Sequence, residues 1–179
     1  MKAKHIIVTL LSTFIFLTTK AQHYNIAVGP EFNIPSGNSS NLSTIGLAAA
    51  VKAEIGLSPM FGLTVNASYA NFFGQEYFGI RTPRETSVPL KAGFKYYTST
   101  NFYVEGQIGT NVPLSGNADL GFVWSPGIGS YINLRNTDNK LDVGLRYEGW
   151  SNSRNITSTS TKFSTFAFIG LRVAYVFSL

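Results

Sequence analysis

From Tyr24 to Phe177 apolar and polar side chains alternate along the chain in eight runs, each 10–15 residues long. The runs are Tyr24–Asn33, Ile45–Ser58, Phe61–Phe73, Ser87–Tyr97, Phe102–Val112, Phe122–Leu134, Leu141–Trp150 and Phe163–Phe177. A period of two puts successive side chains on opposite faces of an extended strand, so each run predicts a strand with one apolar and one polar face. Their length narrows the choice further. Strands of soluble domains are about 5–6 residues long, whereas a tilted strand needs about 9–11 to cross a bilayer.

The connections carry a second pattern. Tight turns are expected at Ser58-Pro59-Met60, at Thr98-Ser99-Thr100-Asn101 and over Arg135–Lys140. Longer connections are expected at Ile34–Thr44, Gly74–Thr86, Pro113–Gly121 and Ser151–Lys162. Long and short alternate without exception. This is the arrangement of a closed, eight-stranded, antiparallel, up-and-down transmembrane β-barrel, with short periplasmic turns and longer extracellular loops.

Charge parity then assigns the faces. Ten charged residues fall within the runs: Glu31, Lys52, Glu54, Lys91, Lys95, Glu105, Asp142, Arg146, Glu148 and Arg172. All ten share the polar face of their run, and the apolar faces carry none. A Lys or Arg facing lipid at mid-bilayer costs about 2–4 kcal/mol, which accounts for the uncharged face. The other face must line an interior that eight strands leave just wide enough for side chains. Five cations and five anions there are expected to form a salt-bridged plug, because an unpaired buried ion is strongly destabilising. Small residues at Gly46, Ala48, Gly93, Gly109, Gly127, Gly129, Gly144 and Gly170 on that face would leave room for the long ones.

Aromatics on the apolar face sort to the two ends. Tyr24, Phe61, Tyr96, Phe102, Tyr175 and Phe177 fall at the periplasmic rim, and Phe32, Tyr69, Phe73, Trp124, Tyr147 and Phe163 at the outer one. Two aromatic girdles at headgroup level are expected of such a barrel. Pro30, Pro89 and Pro126 fall inside runs, where each removes a ladder hydrogen bond. Bulges, or run ends misplaced by a few residues, are expected there.

The N-terminus has a different logic. Lys2 and Lys4 precede the apolar stretch Ile6–Leu17, and Thr19-Lys20-Ala21 offers a small-x-small cleavage site. Twelve helical residues span about 18 Å, short of a hydrocarbon core of about 30 Å. Residues 1–21 are therefore read as a cleaved secretory signal and 22–179 as the barrel domain. Lys+Arg is 14 and Asp+Glu 9; setting aside Lys2, Lys4 and Lys20 leaves 11 basic residues against 9 acidic. That balance gives no basic stripe, so no nucleic-acid partner is expected. The chain has no cysteine, and His23 is the one histidine beyond the signal. No metal, cofactor or catalytic residue is expected, since most zinc sites and most Ser-His or Cys-His mechanisms lose a key residue.

Several segments resemble the small outer membrane protein β-barrel domain family, porin-like proteins of Gram-negative envelopes. They include Gly29-Pro30-Glu31-Phe32-Asn33-Ile34-Pro35-Ser36-Gly37, Leu90-Lys91-Ala92-Gly93-Phe94-Lys95-Tyr96-Tyr97 and Phe102-Tyr103-Val104-Glu105-Gly106-Gln107-Ile108-Gly109. Leu141-Asp142-Val143-Gly144-Leu145-Arg146-Tyr147-Glu148 and Gly170-Leu171-Arg172-Val173-Ala174-Tyr175 extend the likeness. The resemblance implies an outer-membrane location among lipopolysaccharide and phospholipid. It also implies a last strand (Leu171, Val173, Tyr175, Phe177) read by the barrel-insertion machinery.

Function is expected to be non-catalytic: envelope structure, or surface contact through the four loops, with Tyr77, Phe78, Arg81 and Arg84 as possible contact residues. The alternatives are an enzyme acting on lipid A, a narrow porin-like pore, and a soluble lipocalin-type barrel with its faces inverted. Membrane fractionation separates the last of these. The chain is expected in the membrane fraction, detergent-dependent, with different gel mobilities boiled and unboiled; a soluble chain of one mobility overturns the barrel.

Overall fold

The computed structural model describes residues 23–77, 80–81, 84–115, 120–135, 137–157 and 160–179. The strands are β1 (Tyr24–Ser36), β2 (Ser43–Ser58), β3 (Phe61–Gly74), β4 (Glu76–Tyr77), β5 (Ile80–Arg81), β6 (Glu85–Tyr97), β7 (Phe102–Pro113), β8 (Gly121–Asn133), β9 (Lys140–Thr157) and β10 (Ser160–Ser178). Each of the eight long strands pairs antiparallel with its neighbour, and β10 returns to β1 to close the barrel. Closure leaves no free sheet edge. Both described chain ends lie at the same end of the barrel as the tight turns after β2, β6 and β8. We call this the terminal end and the opposite one the loop end.

The alternation in the sequence becomes an alternation in exposure. In β2, Leu47, Val51 and Ile55 are 40–49% exposed while the intervening Lys52 and Glu54 are 2% and 4% exposed. Water-loving side chains are inside and greasy ones outside, the inverse of a soluble barrel.

Two connections differ from the sequence reading. The expected fourth loop, Ser151–Lys162, is largely strand: β9 and β10 keep pairing past the belt through Lys162↔Arg154 to Ser160↔Thr157. This stretch is rich in Thr and Asn and has no apolar face. Extended pairing satisfies its backbone groups where hydrophobic alternation gives no signal. The expected second loop contains the small hairpin β4–β5, joined through Tyr77↔Ile80.

The three prolines also depart from expectation, because they make neither bulges nor strand ends. Pro126 pairs with Gly106 on one side, while on the other the β8–β9 ladder skips from Trp124↔Gly149 to Gly127↔Arg146 without changing register. Pro30 interrupts only the β1–β10 ladder and Pro89 only the β3–β6 ladder, again in register. A residue's N–H points toward one neighbouring strand, so proline removes a bond on that side alone, and pairing resumes beyond it.

The lumen also contains aromatics. Phe72, Trp150 and Phe168 are 0–1% exposed and pack with Phe166 at the loop end. Phe72 meets Trp150 edge-on at 5.3 Å between ring centroids. Tyr97, Tyr103 and Tyr131 form a second layer at the terminal end. Glycines make these rings possible. Phe72 lies over its cross-strand partner Gly46, and Tyr103 lies over its partner Gly129. A Cβ at either glycine would occupy the space of the ring. Phe72→Ala should therefore empty the centre of the loop-end layer and lower stability by about 3–5 kcal/mol. The denaturant midpoint in detergent reads this out.

Candidate functional site

The lumen holds the densest chemistry in the barrel, and its charges divide into three groups. At the terminal end Lys95 Nζ lies 2.5 Å from Glu54 Oε2. Tyr131 donates to the same carboxylate oxygen at 2.8 Å and Tyr97 donates to Glu54 Oε1. The Lys95 ammonium also sits over the Tyr103 ring, 4.1 Å from its centroid. A desolvated cation is attracted to the negative face of a ring, so the tyrosines help hold the lysine.

The second group is in mid-lumen. Lys52 bridges Glu105 at 3.1 Å and Asp142 at 3.3 Å. Arg172 holds Asp142 at 2.6 Å, and Tyr103 donates to the other oxygen of Asp142 at 2.5 Å. Glu105 also accepts from Thr64 at 2.6 Å and from Gln107 at 2.9 Å.

The third group lies toward the loops. Arg146 spans Glu31 and Glu148, at 2.8 Å each, and Lys91 closes on Glu148 at 2.5 Å. Trp150 donates its indole N–H to Glu148 Oε1 at 2.8 Å, which joins this group to the loop-end aromatic layer.

Each group is neutral by formal charge. The first has one cation and one anion; the second and third have two of each. The bonds also cross the lumen. Tyr131 on β8 reaches Glu54 on β2, four strands away around the barrel, and Lys91 on β6 reaches Glu148 on β9. Neither Lys91 nor Glu148 has any exposed side-chain surface. A charge so placed is tolerable only beside its opposite, with its remaining polar atoms hydrogen-bonded.

All ten charged residues of the sequence reading thus face one another inside the barrel. The tyrosines, Thr64 and Trp150 were missed there, while Gln107 shares the polar face of Glu105 in the sequence. Tyr97, Tyr103 and Trp150 share the strand parity of the charges, which was the available signal, whereas Thr64 and Tyr131 lie on β3 and β8, which carry no charge to mark the inner face.

Of the possible loop contacts, Arg84 is the one whose side chain is described. Arg84 is exposed, with its guanidinium 5.1 Å from the centroid of the Phe73 ring. Tyr77 and Arg81 are placed in β4 and β5 by backbone alone, and Phe78 lies outside the described residues. At the terminal end a vestibule of about 200 Å3 is lined by His23, Glu54, Tyr97, Lys140 and Leu179. Among the described residues, no side-chain hydrogen bond or ion pair joins His23 to a serine or a carboxylate.

No family model matches the sequence, and no curated protein sequence matches it. Solved structures do. Outer membrane protein OprG from Pseudomonas aeruginosa aligns with 91% of this chain and 98% of its own, at a TM-score of 0.55 and 10% identity. Neisserial surface protein A aligns with 88% of this chain and 98% of its own, at 0.54 and 14%. Ail of Yersinia pestis, in complex with the heparin analogue sucrose octasulfate, aligns with 88% and 100%, at 0.54 and 11%. The fold is that of the outer-membrane β-barrels. With it, the exposed apolar belt is a lipid-facing surface, and the rings at its ends stand where girdles belong. Trp124 packs on Tyr147 at 5.5 Å near the loop end, and Phe61 on Tyr96 at 5.2 Å near the terminal end.

Arg172→Leu should leave Asp142 short of its nearest cation and lower stability by about 3–5 kcal/mol. The folded, unboiled band should be lost at a lower temperature than in the parent barrel. An unchanged transition would show that Lys52 and Tyr103 alone satisfy Asp142.

Proposed function

We propose that this chain is an integral barrel of a Gram-negative outer membrane that works without catalysis: a sealed wall in the lipid that holds its loop-end segments at the cell surface. The observation that supports this most is the filled lumen. Three neutral ion-pair groups occupy the lumen, with an aromatic layer at the loop end and a tyrosine layer around the Lys95–Glu54 pair at the terminal end. Each lumen carboxylate is held by a lumen cation, which supports a role as structural counterion rather than acid or base. The terminal end faces the periplasm and the loop end faces outward, as short turns and extended segments do in such barrels. The outward-facing Leu171, Val173, Tyr175 and Phe177 of β10 are the segment the insertion machinery would read. Ail carries a heparin analogue on the same architecture, which fits a surface-contact role for the extended β9–β10 hairpin and the segment around Arg84.

The pore reading requires a continuous path through ion pairs that span the lumen. The enzyme reading requires a base beside a nucleophile, and among the described residues no side-chain hydrogen bond or ion pair gives His23 one. Planar-bilayer recording tests the sealed wall. The purified barrel should insert without discrete conductance steps at physiological salt. Steady channel openings would replace this reading with the pore.

A further inference from the structure

Between the second and third ion-pair groups lies a cavity of about 20 Å3, the space open to the centre of a water molecule. On that measure one water needs about 10–15 Å3. Glu31 and Arg146 of the third group line it, as do Glu105 and Arg172 of the second, together with Asn66 and Ser125.

Four of these side chains bring to the cavity a buried polar atom with no hydrogen-bond partner: Glu31 Oε1, Asn66 Oδ1, Ser125 Oγ and Arg172 Nε. Their residues are 1%, 1%, 2% and 7% exposed, so bulk water does not satisfy them. Leaving such groups unpaired costs about 1–3 kcal/mol each, more when charged.

The chemistry of the four atoms selects the occupant. The carboxylate and amide oxygens only accept, the arginine Nε–H only donates, and the serine hydroxyl does either. A bound cation would want oxygens alone and would be repelled by the Arg172 guanidinium. A bound anion would want donors alone and would be repelled by Glu31. Water donates two hydrogen bonds and accepts two, which is the complement of this set.

We propose that the cavity is a water-binding site. Its single water donates to Glu31 Oε1 and Asn66 Oδ1 and accepts from Arg172 Nε–H and the Ser125 hydroxyl. Glu31 belongs to the third ion-pair group and Arg172 to the second. The water is therefore the joint between them, and it makes the hydrogen-bonded column continuous from Lys52 to Trp150. The four atoms that hold it are shielded from solvent, so the water exchanges slowly with bulk.

Crystals of the detergent-solubilised wild-type barrel, grown in one batch with sodium bromide and in another with rubidium chloride, test this. The expected result is one density peak within hydrogen-bond distance of Glu31 Oε1 and Arg172 Nε, with no bromide or rubidium anomalous signal. An anomalous peak makes it an ion site and overturns the proposal. So does a cavity without density, or one collapsed so that the four atoms bond to one another. In micelles, the Arg172 Nε–H resonance should show a cross-peak to a long-lived water; its absence counts against the proposal in the same way.

Discussion

Ions of opposite sign held together in a space closed to bulk water are the interaction on which this barrel depends. A lone carboxylate or ammonium in that lumen would carry a desolvation penalty of several kcal/mol. Paired as Lys91 is with Glu148, or Arg172 with Asp142, each ion replaces its hydration shell with a fixed counter-charge. The pairs join strands remote in sequence, as Glu31 of β1 joins Arg146 of β9. Closing the barrel and satisfying the charges are then one event: neither half of a pair is stable inside until the other strand has arrived.

Polar and aromatic packing share the lumen by a division of length. Mid-lumen is ionic and the loop end aromatic, while at the terminal end the tyrosines surround the Lys95–Glu54 pair; Trp150 and the tyrosines are hydrogen-bonded to the nearest carboxylates. Glycine makes the layers possible. Where a ring must lie flat on the inner wall, the partner across the ladder is Gly46 or Gly129. The wall tolerates Pro30, Pro89 and Pro126 for a related reason. Each strand has two neighbours, so a bond lost on one side leaves the pairing on the other intact.

Much of this was legible in the residues themselves. The strand count, the inside-out faces and the lumen position of Glu31 to Arg172 follow from a two-residue period and from where charges fall within it. Two things were not. The β9–β10 extension uses residues without an apolar face, so nothing in the hydropathy marks it as strand. The lumen aromatics Phe72, Tyr103, Tyr131, Trp150 and Phe168 sit on the polar parity. A reading that assigns aromatics to the lipid face passes over them, although Tyr103 shares the parity of Glu105, Trp150 that of Glu148 and Phe168 that of Arg172; Phe72 and Tyr131 lie on strands without a charge to set the phase.

Alternation by itself determined that the chain forms long two-faced strands, that lipid meets the greasy face, and that equal numbers of cations and anions are enclosed. These are properties of each strand taken alone, fixed by the pleat. Which cation meets which anion was decided only when eight strands closed, because shear and tilt set the heights at which opposite walls face each other. The same closure grouped the charges into three neutral sets, stacked the rings over glycines and left a cavity between Glu31 and Arg172. None of these contacts exists within a single strand.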